Sequence, residues 1–255
     1  MQVVILETAE HLGDYAASRI VPQIGREIRV LGVATGSSPL PIYRSLQQQR
    51  TAEFDNLSVF ALDEYVGLDT THPEGYRAVV DREVTQTLRI ASENVHVPDG
   101  SLNGIDTAGE RYEALIRAAG GIDLQLLGIG STGHIGFNEP TSSFASRTRV
   151  KTLTHQTRAD NARFFGSLSA VPTHCVTQGL GTIMAARELL LIATGASKAG
   201  AIAQAVEGPV ASMCPASVLQ LHQRATVLLD RAAASQLQLR DYYEFAHQNR
   251  PSWQA

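Results

Sequence analysis

Short runs of apolar, mostly β-branched residues alternate along this chain with longer segments that have helical periodicity. Parallel strands need a helix-length crossover between them, so this alternation is typical of a parallel sheet with helices on both faces. The chain is therefore predicted to have a doubly wound, Rossmann-like α/β fold with a mainly parallel sheet. The predicted strands are 3–6, 28–33, 58–62, 95–97, 124–129, 149–153, 188–193 and 225–229, and the predicted helices are 11–25, 39–49, 75–87, 106–119, 197–206 and 234–248.

The chain of 255 residues is long enough for one α/β domain, predicted as 1–255, with two smaller domains as the alternative. No internal repeat, low-complexity tract or Pro/Ser-rich linker marks a boundary. Residues 154–172 are polar and basic between two structured regions. This pattern predicts a surface segment such as a mobile lid.

Composition excludes several classes of protein. The hydrophobic fraction of 44% and the charged fraction of 18% are those of an ordinary soluble protein. A formal net charge of −4 argues against nucleic acid as the main partner, because binding a phosphate backbone needs a concentrated basic surface. No apolar run is long enough for a signal peptide or a membrane span. We expect a cytoplasmic protein that does not bind membranes, with Cys175 and Cys214 as reduced thiols.

Residues 130–140, GSTGHIGFNEP, directly follow a predicted buried strand and place a histidine between glycines. The glycines remove side chains that would crowd His134, and the preceding strand delivers the imidazole to the carboxyl edge of the sheet. Open α/β folds bind ligands at that edge. The alternative is a tight strand-to-helix turn with an incidental histidine.

Thr35, Gly36, Ser37 and Ser38 follow the second predicted strand and precede a predicted helix that begins with proline. Free backbone N–H groups, the positive end of the helix dipole and three hydroxyls would together suit a phosphate. The chain lacks both the lysine of a nucleotide P-loop and a GxGxxG motif. The alternative is that Ser37 or Ser38 caps the helix.

Two adjacent carboxylates, Asp63 and Glu64, follow the third predicted strand. Neighbouring residues of a strand point to opposite faces, so the two are expected to do different jobs. A carboxylate in a partly apolar cleft can act as a general base for a carbon acid, because desolvation raises its basicity. The alternative for this pair is helix capping and surface solvation.

Five segments, taken together, resemble the glucosamine-6-phosphate deaminase family, also called glucosamine-6-phosphate isomerases. They are LDEYVGL, GHIGFNEP, SRTRVKTLTHQTRADNARFF, GASKAGAIAQAVEG and SVLQLH, and the resemblance runs in order from about residue 1 to 245. The DEY and FNEP forms distinguish the chain from the related 6-phosphogluconolactonases. The resemblance implies conversion of glucosamine 6-phosphate and water to fructose 6-phosphate and ammonia in amino sugar metabolism, without a metal or an organic cofactor.

The resemblance also implies roles for individual residues. Asp63 corresponds to the base that takes the proton from C2 and returns a proton to C1. His134 corresponds to the histidine that assists opening of the pyranose ring, and Glu139 belongs to the polar network that orients it. The loop of residues 35–38 is similar to the phosphate loop of the family, and Arg163 and Lys198 match its cationic phosphate contacts.

One position departs from the family pattern. Family members usually carry Asp or Asn two residues before the histidine, whereas this chain has Thr132. A threonine can accept a hydrogen bond from the imidazole but supplies no carboxylate. We therefore expect the network around His134 to carry less charge or to be organised differently.

In enterobacterial-type relatives, which are hexamers, N-acetylglucosamine 6-phosphate activates at a subunit interface. Ser142, Arg149 and Lys151 match residues of that site, and Tyr242 is a fourth match. Arg149 and Lys151 alternate on a predicted strand and so share one face. The resemblance thus predicts a homo-oligomer with an activator site in N-acetylglucosamine catabolism, and the alternative is a basic edge strand that resists aggregation.

Two other classes of function stay open at this level. One is a different sugar-phosphate enzyme on the same fold, such as a galactosamine-6-phosphate deaminase or a 6-phosphogluconolactonase-like enzyme. The other is a non-catalytic sugar-phosphate sensor. The joint presence of Asp63, His134 and Glu139 favours an enzyme. A metal enzyme is not predicted, because the histidines form no i, i+4 pair and no carboxylate-rich cluster.

Overall fold

The computed structural model describes residues 1–251, and residues 252–255, the end of the predicted domain, lie outside the described residues. The strands of the described part are β1 (Gln2–Leu6), β2 (Val30–Val33), β3 (Ser58–Ala61), β4 (Asp63–Tyr65), β5 (Val95–His96), β6 (Leu124–Leu127), β7 (Arg149–Thr152), β8 (His174–Thr177), β9 (Glu188–Ala193) and β10 (Ala225–Asp230). Its α-helices are α1 (Ala9–Ile20), α2 (Leu40–Gln48), α3 (Tyr76–Val80), α4 (Gln86–Leu88), α5 (Ala108–Ala118), α6 (His155–Phe165), α7 (Leu180–Ile183), α8 (Ala199–Val206) and α9 (Arg240–Gln248). A π-helical turn, Asp81–Thr85, joins α3 to α4.

Seven parallel strands form the main sheet in the order β1-β10-β9-β6-β2-β3-β5. The predicted doubly wound α/β fold is confirmed. Successive residues of one strand enter different cores, as the pleat requires: Val3 and Ile5 pack with residues of α5 and α8, whereas Val4 packs with residues of α1 and α2. The sheet is thus buried on both faces, which explains the continuous apolar runs of its central strands.

The order of the strands sets the position of the ligand edge. From β2 the chain proceeds to β3 and β5 on one side, whereas β6, β9 and β10 follow one another on the other side. The direction of winding therefore changes between β2 and β6, and a crevice opens at the carboxyl ends of such a pair. The two glycine-containing turns singled out in the sequence follow these two strands.

A second, antiparallel sheet has the order β4-β8-β7. Strands β4 and β8 are absent from the sequence-based assignment, because strands of three and four residues are too short to show a period. Only Leu62 separates β3 from β4, so the small sheet holds Asp63 at the carboxyl end of the main one. In β4, Asp63 pairs with Thr177 of β8.

Two helix boundaries differ from the predictions. The helix predicted at 11–25 is Ala9–Ile20 followed by a 3-10 turn, Val21–Gln23, because Pro22 has no N–H to continue an α-helix. The helix predicted at 234–248 begins at Arg240. The carboxylate of Glu207 accepts hydrogen bonds from the backbone N–H groups of Gln238 and Leu239 just before it.

The segment predicted as a lid, 154–172, contains α6 and a 3-10 helix, Leu168–Ala170, where no helix was predicted. Its sequence shows no apolar stripe, since Thr157 is the only residue of α6 that is buried. The helix lies along the cleft described below, and mobility of the segment stays a prediction. Within residues 1–251, no helix is both long and apolar enough to cross a membrane.

Candidate active site

A cleft of about 670 Å³ lies at the carboxyl end of the main sheet. Loops that follow β2, β3, β6 and β9 line it, and α6 forms another wall. Among the residues that line the cleft are most of the predicted site residues: Thr35, Gly36, Ser37, Ser38, Asp63, His134, Arg163 and Lys198. The fold therefore brings together side chains that lie up to 163 positions apart in the sequence, from Thr35 to Lys198.

Residues 35–38, called the anion loop below, form one end of the cleft. Gly36 has φ +95°, a conformation that favours glycine. The residue preceding α2 makes no side-chain capping bond, and the hydroxyls of Ser37 and Ser38 make no hydrogen bond within the described part of the chain. The capping alternative therefore has no contact to support it, and both hydroxyls can bind a ligand.

Two cations border the same end of the cleft. Lys198 ends a 3-10 turn after β9, and Arg163 lies near the end of α6 with its guanidinium 4.7 Å from the centre of the Phe164 ring. Burial lowers the pKa of Lys198, the charge of Asp160 raises it and the charge of Arg163 lowers it again. The two cations thus repel each other across the cleft, and an anion between them would relieve this repulsion.

Asp63 is the buried carboxylate of the cleft, with 6% of its surface exposed. Within residues 1–251 its carboxylate accepts no hydrogen bond, and the nearest glycine, Gly136, leaves its Oδ2 unobstructed. Burial, and secondarily the charge of Glu64, raises the pKa of Asp63 well above its ordinary value. Once ionised, such a carboxylate is a strong base with no hydrogen-bond donor to compete for its lone pairs.

Glu64 faces a different environment. Its carboxylate accepts hydrogen bonds of 2.8 Å from the backbone N–H groups of Tyr65, Tyr76 and Arg77, and so binds free donors at the start of α3. Burial raises the pKa of Glu64, and these three hydrogen bonds oppose that effect. Glu64 therefore anchors a helix, and Asp63 is the carboxylate available to a ligand.

The turn that carries His134 depends on close approach by backbone. The Gly130 N–H donates to the carbonyl of His134 at 2.9 Å, and a Cβ on Gly130 would lie 2.0 Å from the imidazole. Gly133 has φ +78°, and a Cβ there would lie 2.7 Å from Sγ of Cys214. The glycines are thus required by contacts on both sides of the turn.

Thr132, His134 and Glu139 form a hydrogen-bonded group, called the His134 relay below. Oγ1 of Thr132 lies 2.8 Å from Nδ1 of His134 and donates to Oε2 of Glu139 at 3.3 Å, while Nδ1 itself lies 3.4 Å from Oε2. The single hydroxyl proton of Thr132 is used toward Glu139, so Oγ1 accepts from an Nδ1–H. This arrangement leaves Nε2 of an imidazole that lines the cleft free to exchange protons.

Glu139 supplies the charge that Thr132 lacks. The other oxygen of its carboxylate, Oε1, accepts a hydrogen bond of 3.0 Å from Oγ1 of Thr154 and another from Oγ1 of Thr157. Burial by itself would raise the pKa of Glu139, but the hydrogen bond and charge of His134 and the hydrogen bonds of the two threonines lower it to about 2. Glu139 thus stays ionised and stabilises positive charge on the imidazole.

Thr154, Thr157, Asp160 and Asn161 of the α6 segment also belong to the site, although the sequence patterns did not single them out. A threonine three residues before another is a recognisable helix N-cap, and Oγ1 of Thr154 does accept the N–H of Thr157 at 3.1 Å. The sequence gives no sign of the partner that these hydroxyls share, since Glu139 lies 15 residues before Thr154.

The predicted activator residues are not gathered in one place by a single copy of the chain. Arg149 and Lys151 lie on one face of β7, an edge strand, and Nη1 of Arg149 donates to Oδ1 of Asn138 at 2.9 Å. Ser142 is buried and its hydroxyl donates to the carbonyl of Glu139 at 2.7 Å. Tyr242 lies on α9, in a different cleft that Arg19 also lines.

No group of three or more His, Cys, Asp or Glu side chains suited to a metal ion occurs within residues 1–251. Cys175 and Cys214 are both buried free thiols, and burial raises the pKa of each.

Comparisons with known proteins agree in one direction. The family model described as glucosamine-6-phosphate isomerases/6-phosphogluconolactonase matches residues 6–228. A protein of Pseudarthrobacter chlorophenolicus named glucosamine-6-phosphate deaminase is 58% identical over 257 residues, which cover 100% of this chain and 99% of that protein. One of the same name from Corynebacterium urealyticum is 54% identical over 257 residues and 100% of both chains.

Solved structures are similar as well. A structure described as a monomeric glucosamine-6-phosphate deaminase is 41% identical, with a TM-score of 0.88 over 92% of this chain and 100% of that chain. A 6-phosphogluconolactonase from Trypanosoma cruzi is 19% identical, with a TM-score of 0.74 over 93% of this chain and 97% of that chain. The second likeness is one of fold.

Proposed function

This chain belongs to the family of glucosamine-6-phosphate isomerases and 6-phosphogluconolactonases, and from that premise we propose that it converts glucosamine 6-phosphate and water to fructose 6-phosphate and ammonia. One observation carries the proposal: the buried Asp63 carboxylate, which has no hydrogen-bond donor, lines the same cleft as His134 and the anion loop. A base, a proton carrier and an anion site are the three groups that the reaction needs.

Substrate binding begins at the anion end of the cleft. The free hydroxyls of Ser37 and Ser38 and the cations of Arg163 and Lys198 would hold the phosphate dianion. Fixing the phosphate places C1 and C2 of the sugar between Asp63 and His134, so that the reaction proceeds within one complex.

Opening of the pyranose ring is the task of the His134 relay. Nε2 of His134 accepts the proton of the C1 hydroxyl and delivers a proton to the ring oxygen, which breaks the bond between C1 and that oxygen and leaves an aldehyde at C1. The ionised Glu139 stabilises the imidazolium that forms during the transfer, and Thr132 holds Nδ1 in the protonated state.

The open chain then reacts at C2. Asp63 takes the C2 proton, and the electron pair of that bond forms a double bond between C1 and C2 while C1 oxygen gains a proton. Asp63 returns its proton to C1, and the double bond moves to C2 and nitrogen. Water adds to this imine at C2, ammonia leaves, and the ketone of fructose 6-phosphate remains.

The proposal is tested by a coupled assay for fructose 6-phosphate and ammonia with C2-deuterated glucosamine 6-phosphate. Asp63→Asn is expected to abolish turnover and release of the C2 deuterium, because an amide cannot accept the proton. His134→Gln is expected to slow the closed-ring substrate far more than any open-chain form. Normal turnover by Asp63→Asn would refute the mechanism.

The same assay separates the remaining alternatives. The relatives at 54% and 58% identity are named deaminases, whereas the lactonases share only the fold with this chain. Galactosamine 6-phosphate and 6-phosphogluconolactone should be turned over poorly in parallel assays. Binding of glucosamine 6-phosphate without release of ammonia would instead favour a sugar-phosphate sensor.

We further propose, as finer points, a cytoplasmic location, a role in N-acetylglucosamine catabolism, and a homo-oligomer, up to a hexamer, activated by N-acetylglucosamine 6-phosphate. Ser142 and Arg149 support an activator site, because both contact the segment that carries Glu139. Tyr242 lies elsewhere on the chain, so a site with all four residues requires a second copy. The 41% identical deaminase is described as monomeric, which makes oligomeric state the first measurement.

Analytical ultracentrifugation combined with kinetics tests these points. Sigmoidal dependence on glucosamine 6-phosphate that becomes hyperbolic with the acetylated sugar phosphate would support activation. A monomer with hyperbolic kinetics unaffected by that ligand would exclude it.

A further inference from the structure

Helix α6 contacts the rest of the site through polar side chains on one face. Thr154 and Thr157 donate to Glu139, and Nδ2 of Asn161 donates to the hydroxyl of Tyr65 at 3.1 Å. One turn along, Oδ2 of Asp160 accepts from Oγ of Ser131 at 2.9 Å. These positions recur at the spacing of a helix face, so a single element holds several parts of the catalytic machinery.

Apolar burial contributes little to the start of this helix. Thr157 is its only buried residue, and the partly buried apolar contacts, Ala162 and Phe165, lie near its end. An isolated helix of eleven residues is marginal in water. The placement of the first turn of α6 therefore depends on the hydrogen bonds to Glu139.

The same helix carries a cation of the anion end. Arg163 follows Thr157 by six residues, about 9 Å along the axis, and lines the cleft with Lys198. Without an anion, the charges of Arg163 and Lys198 oppose each other, and Asp160 offsets this only in part. A bound dianion reverses the sign of this interaction, so it favours the position of α6 seen in the structure over positions that separate the two cations.

We propose that α6 couples phosphate binding to the His134 relay: phosphate held by Arg163 and Lys198 fixes α6, and the fixed helix keeps the hydroxyls of Thr154 and Thr157 on Glu139. With Oε1 so occupied, Oε2 of Glu139 faces Thr132 and His134. Thr154 and Thr157 are positioning residues in this scheme, because they act on the reaction through Glu139. The inference rests on the proposed deaminase activity.

The coupling predicts that the phosphate group contributes to turnover and not only to affinity. Glucosamine, which lacks the phosphate, should be deaminated slowly by the wild type, and added phosphite dianion should raise kcat/KM for glucosamine at least about tenfold, the effect expected of one charge-assisted hydrogen bond. Phosphite is the probe because it fills the anion end without forming a bond to the sugar.

The decisive variants change the hydroxyl of Thr157. In Thr157→Val the phosphite activation should be lost, while the inhibition constant of phosphite against glucosamine 6-phosphate stays the same. Thr157→Ser restores the hydroxyl and should restore activation. Thr152→Val, at an exposed threonine with no side-chain hydrogen bond in the described chain, is the matched control and should behave as wild type.

Two results would overturn the coupling. One is full phosphite activation of Thr157→Val, and the other is a wild type that binds phosphite and turns over glucosamine 6-phosphate but shows no activation. If Thr157→Val does not fold, Thr154→Val removes the other hydroxyl and must lose activation instead. A wild type that releases no ammonia from glucosamine 6-phosphate refutes the proposed function itself, which keeps the two failures distinct.

Discussion

Replacing Glu139 by glutamine removes a buried charge and nearly preserves shape, so it measures how strongly the His134 relay holds that charge. A pKa lowered to about 2 from an ordinary 4.5 corresponds to about 3 kcal/mol of favourable interaction with the ionised form. Glutamine keeps a carbonyl that can accept from Thr154 and Thr157. We therefore expect Glu139→Gln to lower the free energy of unfolding by about 2 kcal/mol at neutral pH.

The sign of the pH dependence follows from the direction of the shift. Because the folded-state pKa of Glu139 lies below the unfolded value, the stabilisation is fully present above about pH 4.5 and is lost as the pH falls toward about 2. The difference between wild type and Glu139→Gln should accordingly be constant from neutral pH to about pH 5 and should shrink below that.

Urea unfolding followed by circular dichroism at a series of pH values down to about 3 measures this difference. Glu110→Gln, at an exposed position of α5, is the matched control and should show no such dependence. Equal stability of Glu139→Gln and wild type at neutral pH, or a difference that persists unchanged in acid, would refute the account of the relay. Slower turnover is expected in the same variant, because the imidazolium loses its counter-charge.

Three further substitutions test other parts of the site. Asp63→Asn should raise the free energy of unfolding by about 1–3 kcal/mol at neutral pH while abolishing turnover, because burial raises the pKa of Asp63 and its ionisation therefore costs stability as the pH rises above 3.8; a less stable variant in urea unfolding would contradict this. Thr132→Asp adds a second carboxylate beside His134 and should change activity most at the pH limits of the rate profile; identical profiles would remove Thr132 from the mechanism. Gly133→Ala should lower stability by about 1–3 kcal/mol and lower kcat, since the new Cβ meets Sγ of Cys214; Gly120→Ala, with a similar φ of +89° and no atom within 4 Å, is the control, and equal losses in thermal unfolding would show that only backbone strain matters.

Much of the fold could be predicted because its elements have local causes. The buried strands β6 and β9 appear as apolar runs, and α1 begins at a threonine whose hydroxyl accepts the N–H of His11. The strands β4 and β8 could not be predicted in this way, because each is stable only through pairing with the other, and that pairing joins residues more than one hundred positions apart.

The candidate site divides along the same line. Asp63, His134 and the anion loop could be located in advance, since each follows an apolar strand and parallel strands end at one edge. The partners that tune them could not. Nothing local to Glu139 indicates that threonines of α6 bind its carboxylate.

The amino-acid sequence by itself determined the chemistry that is present and the edge at which it collects: a carboxylate, an imidazole and a hydroxyl-rich turn, each placed by the period of the strand before it. The tertiary structure alone decided the protonation behaviour of those groups. Burial without a donor makes Asp63 a strong base, and hydrogen bonds from a distant helix keep Glu139 ionised. The physical reason is that a pKa depends on the solvent and charges around a group, and residues remote in the sequence supply both.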